Sequence, residues 1–247
     1  MENKTEWRTS MLKIENLSKS FGDKKAVDNL SLHIRAGEIY GFIGHNGAGK
    51  TTTIKACCGI MGQDSGEIYI DGHSMKEQPM ECKTRIAYIP DNPDLYEFMT
   101  GIQFLNFVAD IFHVSASDRQ ERIRKYADTF ELTKDLAQPI SAYSHGMKQK
   151  LAIISALIHN PKLIIMDEPF VGLDPKAAYL LKEIMRDICD RGGAIFFSTH
   201  VLEVAEKLCD KVAIIKNGTL IKSGTMDEVK GDISLEEVFL ELEGDHD

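Results

Sequence analysis

A mixed α/β fold, with a flanking antiparallel β layer and an inserted helical subdomain, is predicted by three features of the 247-residue chain. Two apolar runs, Leu163-Ile164-Ile165-Met166 and Ala194-Ile195-Phe196-Phe197, show no polar alternation. Strands that read this way are covered on both faces, as in parallel sheets. A glycine-rich segment, Gly44-His45-Asn46-Gly47-Ala48-Gly49-Lys50-Thr51, follows a short β-prone run at 38–43 and precedes a helix-compatible run at 52–58 that Gly59 can stop. From about 101 to 135 apolar residues recur at helical spacing with no strand signal between them.

The elements follow in order. Residues 1–10 are polar, carry the single tryptophan, Trp7, and read as a flexible tail; one domain is expected over 11–247. Residues 11–14 and 26–34 alternate in the strand manner, and 67–72 adds a strand ending in a turn, which together predict the antiparallel layer. The helical subdomain is expected over about 92–158. Ser144 can cap its last helix, whose apolar stripe is Met147, Leu151, Ile154 and Ile158, with Lys148, Gln149 and Lys150 directed to solvent. Asn160-Pro161 ends that helix, the buried strand at 163–166 follows, and residues 177–190 form a helix before the Gly192-Gly193 break and the second buried strand. Lys216-Asn217-Gly218 makes a hairpin between 212–215 and 219–221. The chain ends in a short amphipathic helix over about 234–242, with Leu235, Val238, Phe239 and Leu242 on one face.

Composition narrows the partners. The chain is 43% hydrophobic and carries a net charge of −9, from 38 acidic and 29 basic residues. No basic surplus exists to neutralise a phosphate backbone, so a nucleic-acid partner is not expected. No apolar run approaches the length of a membrane-spanning helix, and no signal segment is recognised. The five cysteines (57, 58, 82, 189 and 209) lack metal-ligand spacing and read as reduced, mostly buried thiols.

The glycine-rich segment matches G-x-x-x-x-G-K-[ST]. Gly44, Gly47 and Gly49 let the loop curl so that backbone N–H groups point inward at phosphate oxygens, with His45, Asn46 and Ala48 completing it and Thr52 next to it. Lys50 can reach β- and γ-phosphates, and the Thr51 hydroxyl can ligate Mg²⁺. A second constellation lies at Asp167-Glu168-Pro169, at the carboxyl end of a buried parallel strand, where open α/β sheets bind ligands. Asp167 is suited to hold the metal through a water, and Glu168 to accept a proton from an attacking water. Alone, the two acids are equally compatible with a surface turn before a proline. His200, at the end of a third strand, is placed to bond a γ-phosphate and the attacking water; alone, a strand-end histidine is as readily structural.

The order of these pieces resembles the ATP-binding subunits of ATP-binding cassette (ABC) transporters, from about Met11 to the end. The discriminating segment is Tyr143-Ser144-His145-Gly146-Met147-Lys148-Gln149-Lys150, similar to the family signature Leu-Ser-Gly-Gly-Gln followed by a basic residue. Ser144 and Gly146 match; Tyr143, His145 and Met147 depart. The resemblance implies that Ser144 and Gly146 contact the γ-phosphate bound by a second copy. It implies that Phe21 stacks on adenine, that Gly172-Leu173-Asp174 signals between the two sites with Asp174 near the nucleotide, and that His200 is a switch histidine. Asp91 stands where the family carries a glutamine that reaches Mg²⁺; it can bind the metal through water or point elsewhere.

What the resemblance implies is an ATPase using ATP and Mg²⁺, closing as a dimer with a second copy or a related subunit. Its partner would be an integral membrane subunit on a separate chain, at the cytoplasmic face of the cell membrane. The variant motifs and the C-terminal ending are most similar to bacterial exporter-type members. A non-transport ATPase of the same type in a soluble assembly is the alternative. A small-molecule kinase would share the phosphate loop but gives no reason for the Ser144 segment.

Overall fold

The structure, a computed structural model, describes residues 10–244; the tail expected over 1–10 lies, except for Ser10, outside the described residues. Two long strands, β1 (Ser10–Phe21) and β2 (Lys24–Arg35), pair antiparallel, and a bulge-interrupted register lets β1 continue to Phe21, well past the alternating residues that predicted it. After β3 (Ile39–Ile43) the glycine-rich loop runs into α1 (Lys50–Cys57), and β4 (Ser65–Ile70) returns to pair with β1. The short β5 (His73–Ser74) completes a four-stranded antiparallel sheet of order β2-β1-β4-β5.

Next come α2 (Pro79–Lys83), β6 (Ile86–Ile89) and a helical stretch: α3 (Gly101–Ile111), α4 (Ala116–Thr129) and α5 (His145–Ile158). The boundaries of these helices are set locally. Thr100 and Gln103 form a capping box on α3, Ser115 caps α4 and Ser144 caps α5 through the Met147 N–H. Then β7 (Leu163–Asp167), α6 (Pro175–Asp190), β8 (Ala194–Thr199), α7 (Leu202–Leu208), β9 (Lys211–Lys216), β10 (Thr219–Thr225), α8 (Met226–Lys230) and α9 (Leu235–Gly244) complete the chain.

The second sheet has the order β10-β9-β3-β8-β7-β6, parallel throughout except for β10. Every residue of β3, β7 and β8 is buried, which is why β7 and β8 read as apolar runs up to the polar residues at their carboxyl ends. Two apolar clusters flank the parallel sheet. One joins it to the antiparallel layer through Leu12, Leu30, Phe42, Ile54 and Phe196; the other joins it to the helices through Leu105, Tyr126, Phe130, Leu151 and Phe197. The C-terminal α9 docks Leu235 and Val238 onto the second cluster. All five cysteines are buried free thiols.

Two side chains depart from the amphipathic pattern. Gln149, expected in solvent, is wholly buried, and neither of its amide atoms has a hydrogen-bond partner. The helix α5 is covered on more than one stripe, because α3, α4 and the loop after β7 all pack on it. His159, just beyond α5, stacks on Phe112 with ring centroids 3.7 Å apart, and its Nε2–H donates to the Ile86 carbonyl at 3.0 Å. Burial pushes its imidazole down to about 4. The second ring nitrogen, Nδ1, is buried with no partner, so a proton there would go unsatisfied.

Candidate functional site

The glycine-rich loop leaves β3 at the centre of the parallel sheet and wraps the N-terminus of α1. Its glycines are required by contact as well as by backbone shape. Gly49 has φ +112°, and a Cβ there would sit 2.4 Å from the Ala26 carbonyl oxygen; at Gly44 it would sit 2.5 Å from that of Ile215. The Asn217-Gly218 turn locks the loop from outside: the Gly218 N–H donates to the Ala48 carbonyl at 2.8 Å and its carbonyl accepts from Asp28 N–H at 2.8 Å. Both turn residues have positive φ, as a two-residue hairpin turn demands.

Lys50, only 7% exposed, folds back over the loop and donates to the carbonyls of Gly44 at 2.6 Å and His45 at 3.2 Å. Burial lowers its ammonium below the ordinary lysine range, opposed by the nearby charges of Glu168 and Asp167. Its Nζ lies 3.8 Å from Glu168 Oε1. The Thr51 hydroxyl donates to Asp167 Oδ2 at 2.6 Å, joining the two residues assigned to the metal, although they are far apart in sequence.

Asp167 and Glu168 are held by a residue that sequence reasoning missed. Ser198, fully buried on β8 beside β7, donates to Asp167 Oδ1 and accepts from the Glu168 N–H at 3.1 Å. The only sequence signal was a hydroxyl at the end of an otherwise apolar strand. Glu168 itself has φ +47°, a conformation that non-glycine residues occupy at a cost and that clusters at functional positions. His200 Nδ1 lies 2.9 Å from Glu168 Oε1, but not along a hydrogen-bonding direction. Glu168 Oε1 is therefore a buried carboxylate oxygen without a hydrogen-bond partner.

Phe21, Asn46, Gly47, Gly49, Lys50, Thr51, Thr52, Asp91, Asp167 and Glu168 line one cleft of about 320 Å³. Phe21 is half exposed at its rim with Lys19 Nζ 5.8 Å from the ring centroid, an open aromatic face that a flat ring can cover. Asp91 is exposed and accepts from the Asn92 N–H at 2.8 Å, with no bond to Thr51 or Asp167. The set fits a Mg²⁺-bound polyphosphate: hard oxygen ligands on Thr51 and Asp167, an ammonium, a curled backbone, and the Glu168 carboxylate in the lining of the cleft.

Ser144, Gly146 and Asp174 do not line this cleft. They gather at the N-terminus of α5, where Ser144 is exposed. A Cβ on Gly146 would lie 2.9 Å from the Gly172 carbonyl oxygen, and Lys150 Nζ contacts Asp174 Oδ2 at 2.7 Å. That ammonium, with the Ala177 N–H, holds the Asp174 carboxyl below the usual range. His200 is half exposed beside Glu168.

A nucleotide-phosphate loop on a parallel sheet, with an antiparallel layer and a helical stretch between β6 and β7, defines an ABC-type ATPase fold. The sequence profile of the ABC transporter family matches residues 27–171, and the chain belongs to that family. It is 34% identical over 238 residues to the ABC-type transporter ATP-binding protein EcsA of Bacillus subtilis, covering 94% of this chain and 96% of that protein. It is 39% identical over 208 residues to an uncharacterized ABC transporter ATP-binding protein of Nostoc sp., covering 83% of this chain but spanning only 62% of the relative. A solved ATP-binding subunit of an ABC transporter superposes with a TM-score of 0.91 at 35% identity, covering 94% of this chain and 99% of that one. Among the described residues, no helix is long and apolar enough to cross a membrane.

Proposed function

We propose that the chain binds Mg-ATP in the cleft and hydrolyses it as the energy-converting subunit of an exporter-type transporter, docked at the cytoplasmic face of the membrane on a separate spanning subunit. The observation that carries the hydrolytic reading is the Glu168 carboxylate in the lining of the cleft, held beside Lys50 and His200 by the Ser198 bridge. The loop's N–H groups and Lys50 grip the phosphates, and Phe21 takes the adenine face. Mg²⁺, held by Thr51 and Asp167, would supply neutralisation of phosphate charge. Glu168 takes the proton of the water that attacks the γ-phosphorus as the bond to the bridging oxygen breaks, giving ADP and phosphate. His200 orients that water and the γ-phosphate.

Ser144 and Gly146 sit outside their own chain's cleft, at the exposed N-terminus of a 14-residue helix. In the proposed cycle this end meets the ATP of a second copy, where helix-terminal N–H groups favour a terminal phosphate. ATP then bridges two subunits, and its hydrolysis opens them. The exporter direction is supported by the departures in the signature and by the C-terminal ending. Residues 92–158 act as the lobe that carries the membrane partner, with Asp91 at its entrance.

The test is Glu168→Gln, which keeps the size and one acceptor oxygen but cannot take the proton. Hydrolysis should fall by about 10²–10⁴, and size-exclusion chromatography with Mg-ATP should show a dimer that reverts when ATP is removed. Lys50→Ala should show no such dimer. Turnover by Glu168→Gln near the wild-type rate would remove Glu168 from the proton-accepting role.

A further inference from the structure

The Ser144 segment departs from the family signature most conspicuously at His145, where the pattern has a glycine. The imidazole lies against the loop that leaves Glu168. A Cβ built on Gly172 would fall 2.5 Å from His145 Cδ2 and 2.7 Å from its Nε2, so the ring occupies the space a side chain at 172 would need. Gly172 has φ +81°, which keeps its Cα face bare and turned to the ring. Gly146 lies close enough to the Gly172 carbonyl that a Cβ there would meet its oxygen at 2.9 Å, and one turn along α5 Lys150 is tied to Asp174. Residues 145, 146 and 150 thus grip the 168–174 loop at three points. Gln149, one helical turn from His145 and on its face of α5, is wholly buried. Inside the loop only two long backbone bonds are present: Val171 N–H to the Glu168 carbonyl at 3.2 Å, and Leu173 N–H to that of Phe170 at 3.3 Å. Its 168–170 end is held by the Ser198 bond to the Glu168 N–H and by Phe170 set edge-on to Phe197, and its 172–174 end by α5.

We propose that His145 is a positioning residue: its imidazole latches the signature end of α5 onto Gly172, so that Ser144, which serves the partner's ATP, and Glu168, which serves the chain's own, move as one unit. The proposal rests on the composite-site reading above. A glycine at 145 would leave the Gly172 face open, and the loop free to shift relative to Ser144 without strain. His145 is exposed to solvent on its outer side, and its ring fills the space beside Gly172, so displacement of either end brings the two into steric contact. His145 does not line its own cleft, and its contact toward Glu168 runs through Gly172.

The experiment measures steady-state hydrolysis against Mg-ATP concentration for wild type, His145→Gly, Gly172→Ala and the double variant, with Ser144→Arg as the control for the composite site. His145→Gly should lower kcat about tenfold, since a small misplacement of a reacting group costs that much or more. It should bring the Hill coefficient toward one and leave nucleotide affinity of the isolated subunit and the melting temperature unchanged. Gly172→Ala should lower kcat by driving a methyl into the ring, and His145→Gly should partly restore it, so that the two changes are not additive. Unchanged kcat and Hill coefficient in His145→Gly, or additive effects in the double variant, would overturn the latch. A rise in KM alone would make His145 a nucleotide contact and also overturn it. If Ser144→Arg hydrolyses ATP like wild type, the composite-site reading fails instead, whichever way His145→Gly behaves.

Discussion

Replacing Ser198 by alanine isolates a piece of the site that no motif contains. The hydroxyl is fully buried, donates to Asp167 Oδ1 and accepts from the Glu168 N–H, so its loss strands both partners where no water can reach. A hydrogen bond to a buried carboxylate contributes about 1.5–3 kcal/mol, and the second, neutral bond about 0.5–1.5 kcal/mol. The sum, about 2–4.5 kcal/mol, corresponds to a melting temperature lower by about 4–18 °C for a chain of this size. Thr51 still holds the other oxygen of Asp167, so nucleotide binding survives. Glu168 loses the anchor of its strained backbone, and turnover should fall about 10–100-fold through misplacement. Scanning calorimetry of the free protein, fluorescent-nucleotide titration and phosphate release together test this. A Ser198→Ala protein melting within two degrees of wild type (about half a kcal/mol) and turning over normally would refute the bridge as the support of the acidic pair.

Asp91 is exposed and bonded only to its neighbour's N–H. Asp91→Ala should therefore leave partner-free hydrolysis within about twofold, the range of ordinary surface changes, while hydrolysis stimulated by the membrane partner falls. A large loss of basal rate would put its carboxylate on the metal. His159 predicts a pH dependence of stability. Its imidazole falls from the ordinary value of 6.5 to about 4, so between those values the unfolded chain binds the extra proton and stability rises with pH. The contribution is fully present above about pH 6.5 and shrinks by about 2–3 kcal/mol as pH falls to 4.5. Urea titrations of wild type and His159→Phe, which keeps the stack on Phe112, should diverge in slope over that window; parallel curves would show that His159 is not the titrating group.

Much of the cleft's lining was legible because the signals for it are local. The glycines, Lys50 and Thr51 lie within eight consecutive residues, and their spacing alone dictates a curled backbone ahead of a helix. Asp167 and Glu168 were legible as a pair at a strand end because four apolar residues before them mark a strand buried on both faces. The cap at Ser144 was likewise legible, since a side-chain oxygen meets an N–H within one turn of chain; the caps at Thr100 and Ser115 form in the same way but were not read from the sequence. The tertiary structure decided what depends on which distant surfaces meet. A strand buried on both faces carries no period to say which neighbours it pairs with, so the placement of β3 between β8 and β9 could not be read from the chain. For the same reason Ser198 looked like one more residue of β8 until β7 lay beside it. Gln149 was assigned to water by helical spacing, which assumes a single covered stripe; α5 is packed by α3, α4 and β6 together. Sequence spacing fixes which atoms a short segment can offer, whereas burial and partnership belong to surfaces brought together only by the fold.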